Sequence, residues 1–233
     1  PYFKHFVEDI EQRYHIRVLL VDDYKEIQII LNELNSRIRS KRVFVSGAFS
    51  SFTSEIEEYS HNLSRNLASS LLENDYRIVN GIGRRFGTHL IGYANEYLAK
   101  QGVKDIEKHL IVKPFVGNTQ AAAEEKYRSR KKVIGQCGTA IFVFGEMSEN
   151  SSATKSGVME EFEIACEQHK TIIPIAYPGM VSEIIWEKVK GELTRYPYLE
   201  GRIDLLTSVQ SPEFLSQITV SYTHLTLPTT SRV

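Results

Sequence analysis

Between residues 42 and 175 the chain alternates short, almost uniformly apolar runs with longer stretches in which apolar residues return every three or four positions. The runs predict five strands, at 42–47, 76–79, 109–112, 139–144 and 171–175. The intervening periodicity predicts helices over 54–73, 87–100, 119–136, 158–169 and 181–194. Ile56, Tyr59, Leu63, Leu67 and Leu71 mark the inner face of the first of these. Strands apolar on both faces and separated by helices predict an α/β fold, an open parallel sheet with helices on both sides. Right-handed crossovers then carry every strand's carboxyl end to one edge, where open α/β sheets bind their ligands.

Upstream, Ile16–Val21 reads as one more strand, and Asp22-Asp23 can cap a helix over 24–38 with Ile27, Ile30, Leu31 and Leu34 on one face. One strand and one helix cannot close a core, so this piece is expected to be the remnant of a preceding domain. The basic stretch Arg37–Arg42 marks the boundary. The chain opens on Pro1 rather than Met, so further residues are expected to precede it. At the other end, 220–233 departs in composition from the rest and resembles a translated sequencing adapter; a Thr-rich edge strand is the other reading. The expected organisation is therefore 1–40, a domain over 41–219, and an extraneous tail over 220–233.

Composition changes this picture little. At 233 residues, 42% hydrophobic and 24% charged, the chain is long enough for one α/β domain with added pieces. A net charge of −1 gives no global field to recruit nucleic acid or an anionic membrane. Two cysteines, Cys137 and Cys166, lie in apolar surroundings without a C-x-x-C pair, which fits a reducing cytoplasm. No run is long and apolar enough to predict a membrane span.

The candidate chemistry gathers on the carboxyl edge. Gly81-Ile82-Gly83-Arg84-Arg85-Phe86-Gly87 follows a strand and opens a helix, the setting of a phosphate-binding turn, although its G-x-G-x-x-x-G spacing also suits tight packing alone. Ser46, Gly47 and Ala48 are small enough to let a ligand approach the backbone or simply to turn the chain, and Ser50, Ser51 or Thr53 can cap the next helix. Lys131 and Lys132 read as a solvated helix face. Arg130 differs, because Val133, Ile134 and Cys137 set the buried face beside it, where a guanidinium can fork onto a phosphate. Glu160 and Glu161 open a helix; one is explained as a partner of the helix macrodipole, while a carboxylate there can also hold ribose hydroxyls. Glu163 and Glu167 read as surface positions of that helix. Lys155, Ser156 and Gly157 in the preceding loop can reach a ligand or merely connect.

Arg130-Lys131, a strand, and then Gly157-x-x-Glu160-Glu161 resemble the signature of the "lonely guy" phosphoribohydrolases. In that family the arginine and the final glutamate act at a nucleotide's N-glycosidic bond, roles that would fall to Arg130 and Glu161. The family's compact Pro-Gly-Gly-x-Gly-Thr turn is replaced here by a longer loop, Gly145 to Gly157, which suits recognition of a larger ligand better than hydrolysis. Residues 42–200 more broadly resemble the SLOG family of Rossmann-like nucleotide sensors. Within it they are most similar to the SLOG domains of Thoeris anti-phage effectors, in which a sirtuin-like NAD-hydrolysing domain comes first. Arg17–Tyr24 with its helix resembles the close of such a domain.

The resemblance implies a regulatory sensor rather than an enzyme in its own right. A TIR-domain synthase would supply a cyclic ADP-ribose isomer, the SLOG domain would bind it, and the sirtuin-like domain in cis would destroy NAD. On this reading Arg128, Arg130 and Lys155 neutralise the diphosphate, and Glu160 and Glu161 hold ribose hydroxyls. Phe115 or Phe86 packs on the adenine, while Ser46, Gly47, Ala48, Gly81, Gly83, Gly87 and Gly157 line the site. No metal or resident cofactor is implied, and a homo-oligomer is. Two other classes compete. One is an active phosphoribohydrolase using Arg130 and Glu161. The other is a single-strand binder related to the DNA-uptake protein of similar core, which the neutral charge disfavours.

Overall fold

The computed structural model describes residues 2–50, 53–115, 120–146 and 156–225, and its contacts divide the chain into two compact units, 1–36 and 37–233. In the first, helix α1 (Tyr2–Tyr14) is followed by an unpaired stretch and then by helix α2 (Tyr24–Ser40), which runs across the division. The expected strand at 16–21 does not form. Its residues have strand propensity, but no neighbouring strand offers a ladder, and propensity without pairing leaves backbone groups for water. The helix expected over 24–38 is present, with no residue buried along it; Ile29 and Leu31 are exposed, as are Ile16, Leu19 and Leu20 upstream.

The second unit is the expected sheet. Strands β1 (Arg42–Ser46), β2 (Arg77–Asn80), β3 (Leu110–Val112), β4 (Thr139–Val143) and β5 (Thr171–Ile175) are all parallel, in the order β3-β2-β1-β4-β5. The chain first winds outward from β1 through β2 to β3, then crosses back to β4 on the other side of β1. The β1–β4 pair is therefore the switch point, with Val43 opposite Thr139 and Ser46 opposite Phe142.

The helices are α3 (Ser54–Glu73), α4 (Phe86–Lys100), α5 (Gln120–Gly135), α6 (Gly157–Glu167), α7 (Val181–Gly191) and α8 (Pro212–Leu225). Thr53 caps α3 by accepting from the Ile56 amide at 3.3 Å, and the face carrying Leu63, Leu67 and Leu71 is buried as expected. Ile56 and Tyr59, at the exposed end of that face, are half-buried.

After α7 come three short 3-10 turns (Leu193–Arg195, Pro197–Leu199 and Ile203–Leu205) and then α8, in a region where the hydrophobic pattern assigns no element beyond 194. This helix carries the chain past residue 219. Leu215, Ser216, Thr219, Val220, Tyr222 and Thr223 are buried at helical spacing, and Ser70 of α3 bonds Ser216 across the contact at 3.1 Å. The edge-strand reading of this stretch therefore fails as far as Leu225, and residues excluded from the fold on composition enter its core. Among the described residues no helix is long and apolar enough to cross a membrane.

Candidate functional site

The switch point brings one buried cluster together. Ser46 ends β1, Arg130 comes from the last turns of α5, and Glu160 and Glu161 lie in the first turns of α6. Arg130 Nε donates to Glu161 Oε1 at 3.0 Å, Arg130 Nη1 donates to Glu160, and the Ser46 hydroxyl donates to Glu161 Oε2 at 2.6 Å. Arg130 and Glu161 are buried, whereas the Glu160 side chain keeps 34% of its exposure. Burial pushes the Glu161 carboxyl above the usual carboxylate range, opposed by the Arg130 guanidinium and the Ser46 hydroxyl. Gly157 completes the arrangement. A Cβ there would lie 2.6 Å from Arg130 Nη2, so a side chain at 157 would push the guanidinium away from the start of α6.

The guanidinium is thus engaged by two carboxylates rather than presented as an open fork. One cation faces two acids, so an anionic ligand needs further positive charge. Phe115, half-buried, places its ring 5.4 Å from the Arg130 guanidinium carbon and covers Gly81, where a Cβ would meet the ring at 2.3 Å. It remains a candidate stacking surface. Phe86 does not: it is fully buried and packs edge-on against Phe144, with ring centroids 5.2 Å apart, because the start of α4 turns it into the core. Arg128 lies apart from the cluster. Two positions from Arg130 on a helix is about 200° of rotation, and Arg128 sits exposed and paired to Glu124 at 3.3 Å. Lys155 lies outside the described residues.

The glycines of the second loop have internal reasons to be glycine. A Cβ at Gly83 would fall 2.0 Å from the Gly47 carbonyl oxygen, and one at Gly87 would fall 2.9 Å from Asn80 Oδ1. Gly47 in turn abuts the Phe86 ring and the Val143 carbonyl, and the Ala48 carbonyl accepts from the Gly145 amide at 3.0 Å. The loops after β1, β2 and β4 are therefore locked to one another. Gly83→Ala must displace backbone, and about 1–3 kcal/mol of stability is expected to be lost. Gly92→Ala, on the open surface of α4, is expected to gain about 0.5–1 kcal/mol. Chemical denaturation of the two variants checks both.

Sequence reading missed Asn80, which is buried and donates from Nδ2 to the Val45 carbonyl at 2.8 Å while accepting the Ile82 amide at 2.7 Å. It fixes the glycine turn to β1; an Asn directly before such a turn was the available signal. Ile82, Arg85 and Phe144 all have φ between 55° and 58°, and all three lie in the edge loops. A β-branched residue in that region is rare, and such strain gathers where a surface is shaped for a ligand. Ile82 is also exposed.

A family model described as STALD, the Sir2- and TIR-associating SLOG family, matches residues 26–219. The chain belongs to this family. The SLOG domain is also similar to curated proteins named NAD(+) hydrolase ThsA. It is 30% identical to the one from Bacillus cereus (strain MSX-D12) over 215 residues, covering 91% of this chain and 44% of that protein. It is 30% identical to the one from Enterococcus faecium over 191 residues, covering 79% and 38%, and 27% identical to the one from Cytobacillus dafuensis over 197 residues, covering 79% and 39%. The chain spans less than half the length of these relatives. The Rossmann-like SLOG fold expected from the sequence is the fold observed.

Proposed function

We propose that this SLOG domain is a regulatory sensor whose switch-point cluster binds a cyclic ADP-ribose isomer. The bound signal would control an NAD-hydrolysing, sirtuin-like domain in cis, of which residues 1–40 would be the closing part. The observation that carries this reading is that both Glu161 oxygens are already taken up inside the protein, by Arg130 Nε and by the Ser46 hydroxyl. Glu161 has one oxygen held by Arg130 and the other by Ser46, so it is built as a fixed part of the pocket wall. The partly exposed Glu160 is the carboxylate free to turn toward ribose hydroxyls, and Phe115 is the face for a base. Diphosphate charge would then be met by Arg130 as Glu160 moves away, and by Lys155. Similarity to proteins named NAD(+) hydrolase supports the link to NAD chemistry, and the family's description supports a TIR-domain protein as the functional partner. A homo-oligomer and a bacterial antiviral role in the cytoplasm complete the proposal.

One observation favours the phosphoribohydrolase alternative. Arg130 and Glu161 do meet, and burial raises the Glu161 carboxyl toward the range in which it can carry a proton. Incubation of the chain with AMP, ADP-ribose and cyclic ADP-ribose isomers, followed by chromatography, separates the readings. The sensor returns every nucleotide intact; free adenine from AMP, lost in Glu161→Ala, would establish the hydrolase instead.

A further inference from the structure

We propose that Glu57, His61 and His89 form a binding site for a divalent transition-metal ion of the zinc class, separate from the nucleotide cluster. Glu57 and His61 are one turn apart on α3, and His89 faces them from the first turns of α4. A ligand atom from each of the three lies within 4.8 Å of the others. The His61 and His89 Nε2 atoms stand 3.8 Å and 3.5 Å from Glu57 Oε1. Four-coordinate zinc with legs of about 2.0–2.1 Å spaces its ligand atoms by about 3.3 Å, close to the two separations from Glu57.

The outer hydrogen bonds of the two rings add a second argument to their proximity. His61 Nδ1 is bonded to the Tyr93 hydroxyl at 3.0 Å, and His89 Nδ1 to the Ser60 hydroxyl at 3.0 Å. Such outer bonds fix which imidazole nitrogen faces a metal. They turn both Nε2 atoms toward one carboxylate oxygen, at distances too long for good hydrogen bonds. The rings stack 3.8 Å apart with 21° between their planes, so one of them must turn out of the stack to bring both lone pairs onto a single ion. Glu57 Oε1 is also held by Arg85 at 3.1 Å, while its Oε2 is shielded from solvent with no hydrogen-bond partner among the described residues. Two imidazoles and one carboxylate are a donor set for zinc, cobalt or nickel rather than for magnesium or calcium. The ion would join α3 to α4 just behind the glycine turn.

The test is titration of the chelator-treated chain with Zn2+ and with Co2+. One equivalent of each is expected to bind, with visible d–d absorption for Co2+ and a raised Tm with Zn2+. His61→Ala and His89→Ala are each expected to weaken binding by more than about 10-fold, and Tyr93→Phe, which removes only an orienting bond, by about 10-fold. His61 is 41% exposed, so its replacement leaves the fold intact even if that of His89 does not. Absence of stoichiometric binding, or binding unchanged in His61→Ala, would overturn the proposal and assign any bound ion to surface imidazoles.

Discussion

Arg130→Ala is expected to lose about 3–5 kcal/mol of folding stability and to weaken binding of the nucleotide signal by more than about 100-fold. The two effects share a cause. Removing the guanidinium leaves Glu161 buried with only the Ser46 hydroxyl for company, and frees Glu160 from the position in which it faces the pocket. Burial already raises the Glu161 carboxyl with Arg130 present, so the uncompensated group would take up a proton rather than remain charged. Arg130→Lys keeps the charge but not the planar fork that reaches both carboxylates, and should fall between the two. Since Glu160 is partly exposed, Glu160→Gln is expected to leave stability nearly unchanged and to reduce ligand affinity. Denaturation curves and binding curves on the three variants separate the folding contribution from the recognition one.

Tyr222→Ala is expected to cost about 3–5 kcal/mol, the range for deleting a fully buried aromatic ring. Tyr222 is completely buried on the face of α8 that also carries Leu215, Thr219 and Thr223. Burial raises both the Tyr76 and Tyr222 phenols above their ordinary value, which keeps them neutral throughout the physiological range. A chain ending at residue 219 should show a loss of similar size, read as a lower urea midpoint. A change below about 0.5 kcal/mol, the size of an ordinary surface substitution, would show that α8 beyond residue 219 contributes nothing to the core.

Much of this architecture was legible because burial on both faces of a parallel sheet writes itself as plain apolar runs. Val43–Val45, Ile141–Val143 and Ile172–Ile173 have one structural use in a chain of this kind. Periodicity failed where partners decide the outcome. Ile16–Val21 has the residues of a strand and nothing to pair with, while Val220, Tyr222 and Thr223 are of types that favour strands yet belong to the buried face of a helix. In the site, Arg130 stood out because the neighbouring apolar positions declared the buried face of α5. Arg128 was grouped with it by proximity in sequence, although helical geometry turns it the other way. The glycine turn suggested phosphate because its context matched. Its contacts show a second reason for glycine at each position: Gly81 lies under the Phe115 ring, Gly83 against the Gly47 carbonyl and Gly87 against the Asn80 side chain. Asn80, which ties that turn to β1, carries no motif of its own.

The central claim is that the switch-point cluster recognises a cyclic nucleotide without consuming it. The most direct measurement is calorimetric titration of the chain with cyclic ADP-ribose isomers, ADP-ribose and AMP, followed by recovery of the ligand. The account predicts saturable binding of one cyclic isomer at one site per chain, recovered unchanged, and lost in Arg130→Ala. No heat from any cyclic isomer, or release of free base during the titration, would contradict it.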